Sequence, residues 1–163
     1  MRPVQISVIG KGTPDAELVP LAEEIGRRLA DAGAVVVCGG LAGVMEAVAR
    51  GASSAGGTVI GIVPSSATDD ANPHCTHVIA TGIGHARNLA VVSSGDAVIA
   101  VGGEWGTLSE IAFARELGRP VVAMRSWQLT GAGAMKDAPG IDVVADPETA
   151  VDLALSRARG AVD

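Results

Sequence analysis

Hydrophobic positions along this chain fall into short continuous runs, separated by stretches with helical spacing. Val4–Ile9 is the first run and ends at Gly10-Lys11-Gly12. Thr13-Pro14-Asp15 then supplies a capping hydroxyl, a proline suited to the first helical position and an acid for the first turn, which predicts a helix start. Leu18, Leu21, Ala22, Ile25 and Leu29 follow at helical spacing, and Gly33 closes that element. Val35-Val36-Val37-Cys38 is apolar throughout, as a strand buried on both faces would be. It runs into Gly39-Gly40-Leu41-Ala42-Gly43, after which Val44, Ala47, Val48 and Gly51 give a helix a face of small residues. Further strands are predicted over Thr58–Val63, His77–Ala80, Asp96–Val101, Pro120–Ala123 and Ile141–Val144. Helices are predicted over His85–Ser93, over Leu108–Leu117 with Gly118 as its stop, and from Asp146-Pro147-Glu148 onward. Pro64–Pro73 is a polar loop, and Arg125–Pro139, rich in Gly and Ala, is irregular or weakly helical.

Strand and helix alternate from end to end. With right-handed crossovers, that order gives an α/β fold: a three-layer, Rossmann-like, doubly wound sheet, mostly or wholly parallel, with helices on both faces. With no repeat or linker to divide it, the chain 1–163 is expected to form a single nucleotide-binding domain. In such a sheet the loops after the strands share one edge, and ligands bind where the strand order reverses. The glycine clusters follow the first, second, fourth and fifth strands, so they are expected to converge there.

Composition narrows the chemistry. Hydrophobic residues make up 48% of the chain, mostly Ala, Val, Ile and Leu, while one Phe, two Trp and no Tyr leave little for base stacking. The formal net charge of -6 would repel a polyanion, so nucleic acid is not an expected partner. No run approaches the ~18 apolar residues of a membrane span, and no secretory leader is visible. Cys38 and Cys75 therefore read as reduced thiols in a cytoplasmic protein. No Cys/His cluster has metal-ligand spacing, so no metal is expected.

The strongest motif is Gly102-Gly103-Glu104-Trp105-Gly106-Thr107-Leu108-Ser109-Glu110. Glycines let a backbone approach an anion closely, and the helix start that follows offers free N–H groups to a phosphate. Thr107-x-x-Glu110 also fits a capping box, so Glu110 is equally a structural cap or a functional carboxylate. Arg87, three residues after Gly84, is either a surface arginine or points into the same cleft to pair with a phosphate or carboxylate. His85 is a ligand contact or a structural histidine, and Trp105 either covers a base or packs on a neighbouring subunit. Cys38, beside Gly39, reads as a buried filler.

These residues carry a family likeness. From about Val4 to Ala123 the sequence resembles the LOG ("lonely guy") superfamily, in the branch close to molybdenum-cofactor carrier proteins. The signature proline-glycine-glycine-x-glycine-threonine-x-x-glutamate matches at Gly103, Gly106, Thr107 and Glu110, while Gly102 replaces its proline and Glu104 a glycine. The family arginine corresponds to Arg87, and Asn88 stands where a lysine usually follows.

By resemblance, the implied activity is hydrolysis of the N-glycosidic bond of a nucleoside 5'-monophosphate, a phosphoribohydrolase reaction that requires no cofactor. Arg87 and Glu110 would be catalytic. Gly10, Gly12, Gly39, Gly40, Gly43, Gly82, His85, Asn88, Gly102, Gly103, Gly106 and Thr107 would hold phosphate and nucleotide. The alternative it implies is a non-catalytic carrier or sensor of molybdenum cofactor or nucleotide. A homodimer or higher homo-oligomer is implied in either case. The lysine decarboxylase label often attached to such sequences needs a Schiff-base lysine for pyridoxal phosphate, and Lys11 and Lys136, the only lysines, are poorly placed for one.

Overall fold

The apolar runs become strands because a sheet covered by helices on both sides needs no polar face. The computed structural model describes residues 1–129 and 140–160. Its strands are β1 (Gln5–Gly10), β2 (Val35–Cys38), β3 (Val59–Val63), β4 (His77–Ala80), β5 (Ala97–Val101), β6 (Val121–Met124) and β7 (Ile141–Val144). All seven form one sheet in the order β4-β3-β2-β1-β5-β6-β7. Every neighbouring pair is parallel. The chain winds outward from β1 to β4, then returns to the other side of β1 for β5, β6 and β7. The order therefore reverses between β1 and β5, and the C-terminal ends of those two strands flank a crevice.

Among the described residues five α-helices cover the sheet: α1 (Leu18–Asp31), α2 (Val44–Ser54), α3 (Arg87–Ser94), α4 (Trp105–Glu116) and α5 (Pro147–Gly160). Alternate strand residues serve the two sides, as the pleat requires. Ile6, Val8 and Ile99 pack with Ile25, Val48 and Ala154 on one side, while Ile9, Val98 and Ala100 pack with Val91 and Ile111 on the other. This is the three-layer, wholly parallel arrangement that the alternation predicts. No helix among the described residues is long and apolar enough to cross a membrane.

Helices α1 and α2 meet backbone to backbone. A Cβ on Gly26 would run into the Val48 carbonyl oxygen, and one on Gly51 into the Glu23 carbonyl oxygen. The small-residue face read from the sequence is the surface that permits this approach. Surface pairs such as Arg50–Glu23 (3.0 Å) stitch the rim of the contact.

Three helix starts move. The first helix begins at Leu18, not at Thr13-Pro14-Asp15. Asp15 still serves its start, because its carboxylate accepts the Glu17 and Leu18 amides at 3.0 and 3.2 Å. A 3-10 turn at Gly84–Ala86 precedes α3, which starts at Arg87 instead of His85. Helix α4 starts at Trp105, three residues before the predicted Leu108, so Gly106 and Thr107 are helical and not loop. Most of Arg125–Pro139 lies outside the described residues, as does Lys136.

Candidate functional site

Where the strand order reverses, the loops after β1, β2 and β5 and the start of α3 surround one cavity of about 210 Å³. Each segment arrives for a separate reason. Gly10 ends β1 against β5, where a Cβ would strike the Val101 carbonyl oxygen. Gly43, at φ +66°, turns the second loop onto the first, and the Val44 amide donates to the Lys11 carbonyl at 2.9 Å. The chain leaving edge strand β4 crosses back over β3 and β2, which brings α3 beside the end of β2.

Arg87 and Glu110 meet inside this cavity. Arg87, at the first position of α3, is 6% exposed, and Glu110, in the second turn of α4, is 7% exposed. The Arg87 Nη1–Glu110 Oε1 distance is 3.8 Å. Arg87 Nη1 also donates to Asn88 Oδ1 at 2.6 Å, and Nη2 donates to the Gly39 carbonyl at 3.2 Å. Its Nε has no hydrogen-bond partner among the described residues. Burial pushes the Glu110 carboxyl up to about 7, against the opposing pull of Arg87, and burial likewise lowers the arginine. The pair is charge-bearing machinery held in a poorly solvated place.

The capping alternative for Glu110 does not hold. Because α4 starts at Trp105, its N-cap is Glu104, and the Glu104 amide donates to Thr107 Oγ1 at 3.4 Å. Glu110 lies one turn further on and is free to face Arg87.

The other candidates divide. Gly10, Gly12, Gly39, His85, Asn88, Gly106 and Thr107 line the cavity with Arg87 and Glu110. Gly39 is needed for space: a Cβ there would meet Met45 Sδ and Arg87 Nη2. Gly40, Gly43, Gly82, Gly102 and Gly103 do not line it. Gly40 turns beneath Val63, Gly102 faces Leu18, and Gly103 is covered by the Trp127 ring. Gly82 joins the polar loop, its amide donating to the Ser65 carbonyl at 2.9 Å. Gly40, Gly43, Gly102 and Gly103 let other chain segments approach where a Cβ would clash, whereas Gly82 has only ordinary contacts around it.

Sequence reasoning missed three lining residues, Ile9, Met45 and Glu104, the last noted only as a departure from the signature. Met45 carried no signal beyond being apolar at the start of α2. The Glu104 carboxylate reaches the first loop. Trp105 is 77% exposed and stacks at 5.3 Å on Trp127, whose Nε1 donates to the Glu104 carbonyl at 3.2 Å. Cys38 is fully buried, as a filler would be, and the neighbouring Cys75 together with burial pushes its thiol well above the usual range. Both cysteines are free. Among the described residues, no three His, Cys, Asp or Glu side chains gather as a metal would require.

This architecture recurs in known proteins. The molybdenum cofactor binding protein of the phototrophic bacterium Rippkaea orientalis superposes with a TM-score of 0.86 at 33% identity, covering 96% of this chain and 98% of that one. The molybdenum cofactor carrier protein of Chlamydomonas reinhardtii does so with a TM-score of 0.84 at 30% identity, over 96% and 98%. A cytokinin riboside 5'-monophosphate phosphoribohydrolase from Rhodococcoides fascians is 36% identical over 107 residues, 62% of this chain and 52% of that protein. The chain thus spans about half the length of that enzyme. The profile of the SLOG cluster4 family matches residues 3–151, which takes in every strand and the whole Arg87–Glu110 cleft. The chain belongs to this family, within the LOG/SLOG superfamily and near the molybdenum-cofactor carriers.

Proposed function

We propose that the cleft binds a phosphorylated heterocyclic small molecule and that the protein is a carrier for a ligand of the molybdenum-cofactor or nucleotide class. The chain 1–163 would act as a single binding domain in the cytoplasm, where free thiols persist. The supporting observation is the meeting of three strand-end loops with a buried arginine whose Nε has no partner among the described residues. A phosphate oxygen at Arg87 would take up that donor and a charge-assisted hydrogen bond. The likeness to carrier proteins along nearly their full length favours carrying over chemistry.

Calorimetry and thermal shift with AMP and with molybdopterin test this. Saturating ligand is expected to raise Tm, since a hundredfold excess over Kd adds about 2.7 kcal/mol. Arg87→Ala is expected to weaken binding at least tenfold. Absence of binding by every phosphorylated ligand removes the reading.

A second reading, phosphoribohydrolase, is favoured by the Arg87–Glu110 pair itself. Cleaving the N-glycosidic bond of a nucleoside 5'-monophosphate builds positive charge on the ribose. A carboxylate beside C1' stabilises that charge and orients the attacking water, giving free base and ribose 5-phosphate. Its value of about 7 leaves Glu110 able to exchange a proton at neutral pH. Free adenine released from AMP, and abolished by Glu110→Gln, would establish this activity.

Self-association as a homodimer completes the proposal. Leu89 on α3 and Phe113 and Leu117 on α4 are exposed apolar side chains available to it. Sedimentation of a Phe113→Glu, Leu117→Glu variant as a monomer, against a dimeric parent, is the expected outcome.

A further inference from the structure

An anion of the protein already sits among the donors that the first glycine loop offers the cleft. The Glu104 backbone is fixed at the start of α4, its amide bonded to Thr107 Oγ1 and its carbonyl to Trp127 Nε1. From there the side chain crosses to the loop after β1. Thr13 Oγ1 donates to Glu104 Oε1 at 2.8 Å, and the Gly12 amide donates to Oε2 at 3.4 Å. Gly12 and Glu104 both line the cavity. The nearby Lys11 offers little compensation, because its ammonium pairs with Asp15 at 3.0 Å. One donor left to a guest is Arg87 Nε, on a side chain more than nine-tenths buried and without a partner among the described residues.

We propose that Glu104 is a specificity-determining residue: its carboxylate is a resident substitute for phosphate on the β1 loop. A phosphate entering the cleft is kept to the Arg87 side and is repelled by the carboxylate across the opening. Two like charges a few ångströms apart at a protein surface interact far more strongly than in bulk water. Dianionic guests are therefore held more weakly than the cleft would otherwise hold them, while an uncharged guest with the same ring pays nothing. A carrier gains from this, since its ligand must leave as well as arrive. The inference rests on the reading of this cleft as a phosphorylated-ligand site.

The test measures binding of AMP, inorganic phosphate and adenosine by calorimetry to the native protein and to Glu104→Gln, which keeps the shape and removes the charge. Glu104→Gly, with the residue that the related signature carries there, is the second variant. AMP and phosphate are expected to bind both variants about tenfold tighter than native, with the gain shrinking as salt is raised, and adenosine is expected to be unaffected. AMP binding that is unchanged or weaker in both variants overturns the role of Glu104 and leaves the cleft as a binding site. Failure of native and variant proteins alike to bind AMP or phosphate overturns the site and this inference together.

Discussion

The groove between α1 and α2 and the cleft at the sheet edge invite comparison, because the larger of the two is chemically the poorer. The groove, lined by Pro20, Glu23, Glu24, Arg27 and Gly51 among others, measures about 480 Å³ against about 210 Å³ for the cleft. Its charges are spent on each other: Arg27 pairs with Glu24 and Asp31, both at 2.6 Å. The cleft instead holds a buried arginine and a buried carboxyl that do not satisfy one another fully. Glycines make the same contrast. In the groove they bring two helices together, and in the cleft some of them keep space open. Size measures how helices diverge; unspent polarity marks a place for a guest.

The largest effect should come from filling the helix contact. Gly51→Ala places a methyl against the Glu23 carbonyl, so the helices must part, and a loss of about 3 kcal/mol is expected by denaturant titration. An unchanged midpoint would show that the two helices are not in fact in contact at these positions.

Next in size is a pH effect confined to the cleft. Glu110 titrates at about 7 in the folded protein, above its ordinary 4.5. The folded form thus binds the proton more tightly, and the associated stability is complete below about 4.5 and lost as pH rises through 7. Glu110→Gln lacks this loss. It is expected to match native stability near pH 4.5 and exceed it at pH 8 by about 2 kcal/mol. Parallel stability curves for the two proteins would refute the burial argument.

The smallest stability change belongs to Gly106→Ala, whose Cβ would meet nothing nearer than Asn88 Nδ2 at 3.9 Å. Stability should hold within about 0.5 kcal/mol, since alanine suits a helix better than glycine. Ligand affinity should fall instead, because the methyl adds bulk beside the cavity. A variant that binds AMP normally would move the guest away from the α4 start.

The parts of this molecule readable from sequence are those whose cause is local. Val35–Cys38 matches β2 end to end, because an apolar run between turn residues leaves few alternatives, and His77–Ala80 matches β4 although it alternates exposed and half-buried positions at the sheet edge. Helix starts were harder. Gly106 resembles loop in sequence, yet it occupies the second position of α4, where the tertiary setting overrides its poor propensity. Arg87 and Glu110 were legible through spacing and resemblance, but their separation depends on a crossover that no local pattern encodes. The bond from Thr13 to Glu104 joins positions 91 residues apart, so its only trace was an acid where glycine was expected. Gly102 and Gly103 carry a double signal, because a phosphate loop and close packing against Leu18 and Trp127 both ask for a missing side chain.

One contact has consequences for how the cleft comes into being. The Arg87 guanidinium hangs from the Gly39 carbonyl, 48 residues earlier, and faces a carboxyl on a later helix. A fragment ending in the polar 64–73 loop would own the carbonyl but neither charge, and the complementary fragment would own both charges with nothing to anchor them. The assembled cleft is therefore a property of the reunited halves, and binding of a guest would serve as a reporter of their complementation.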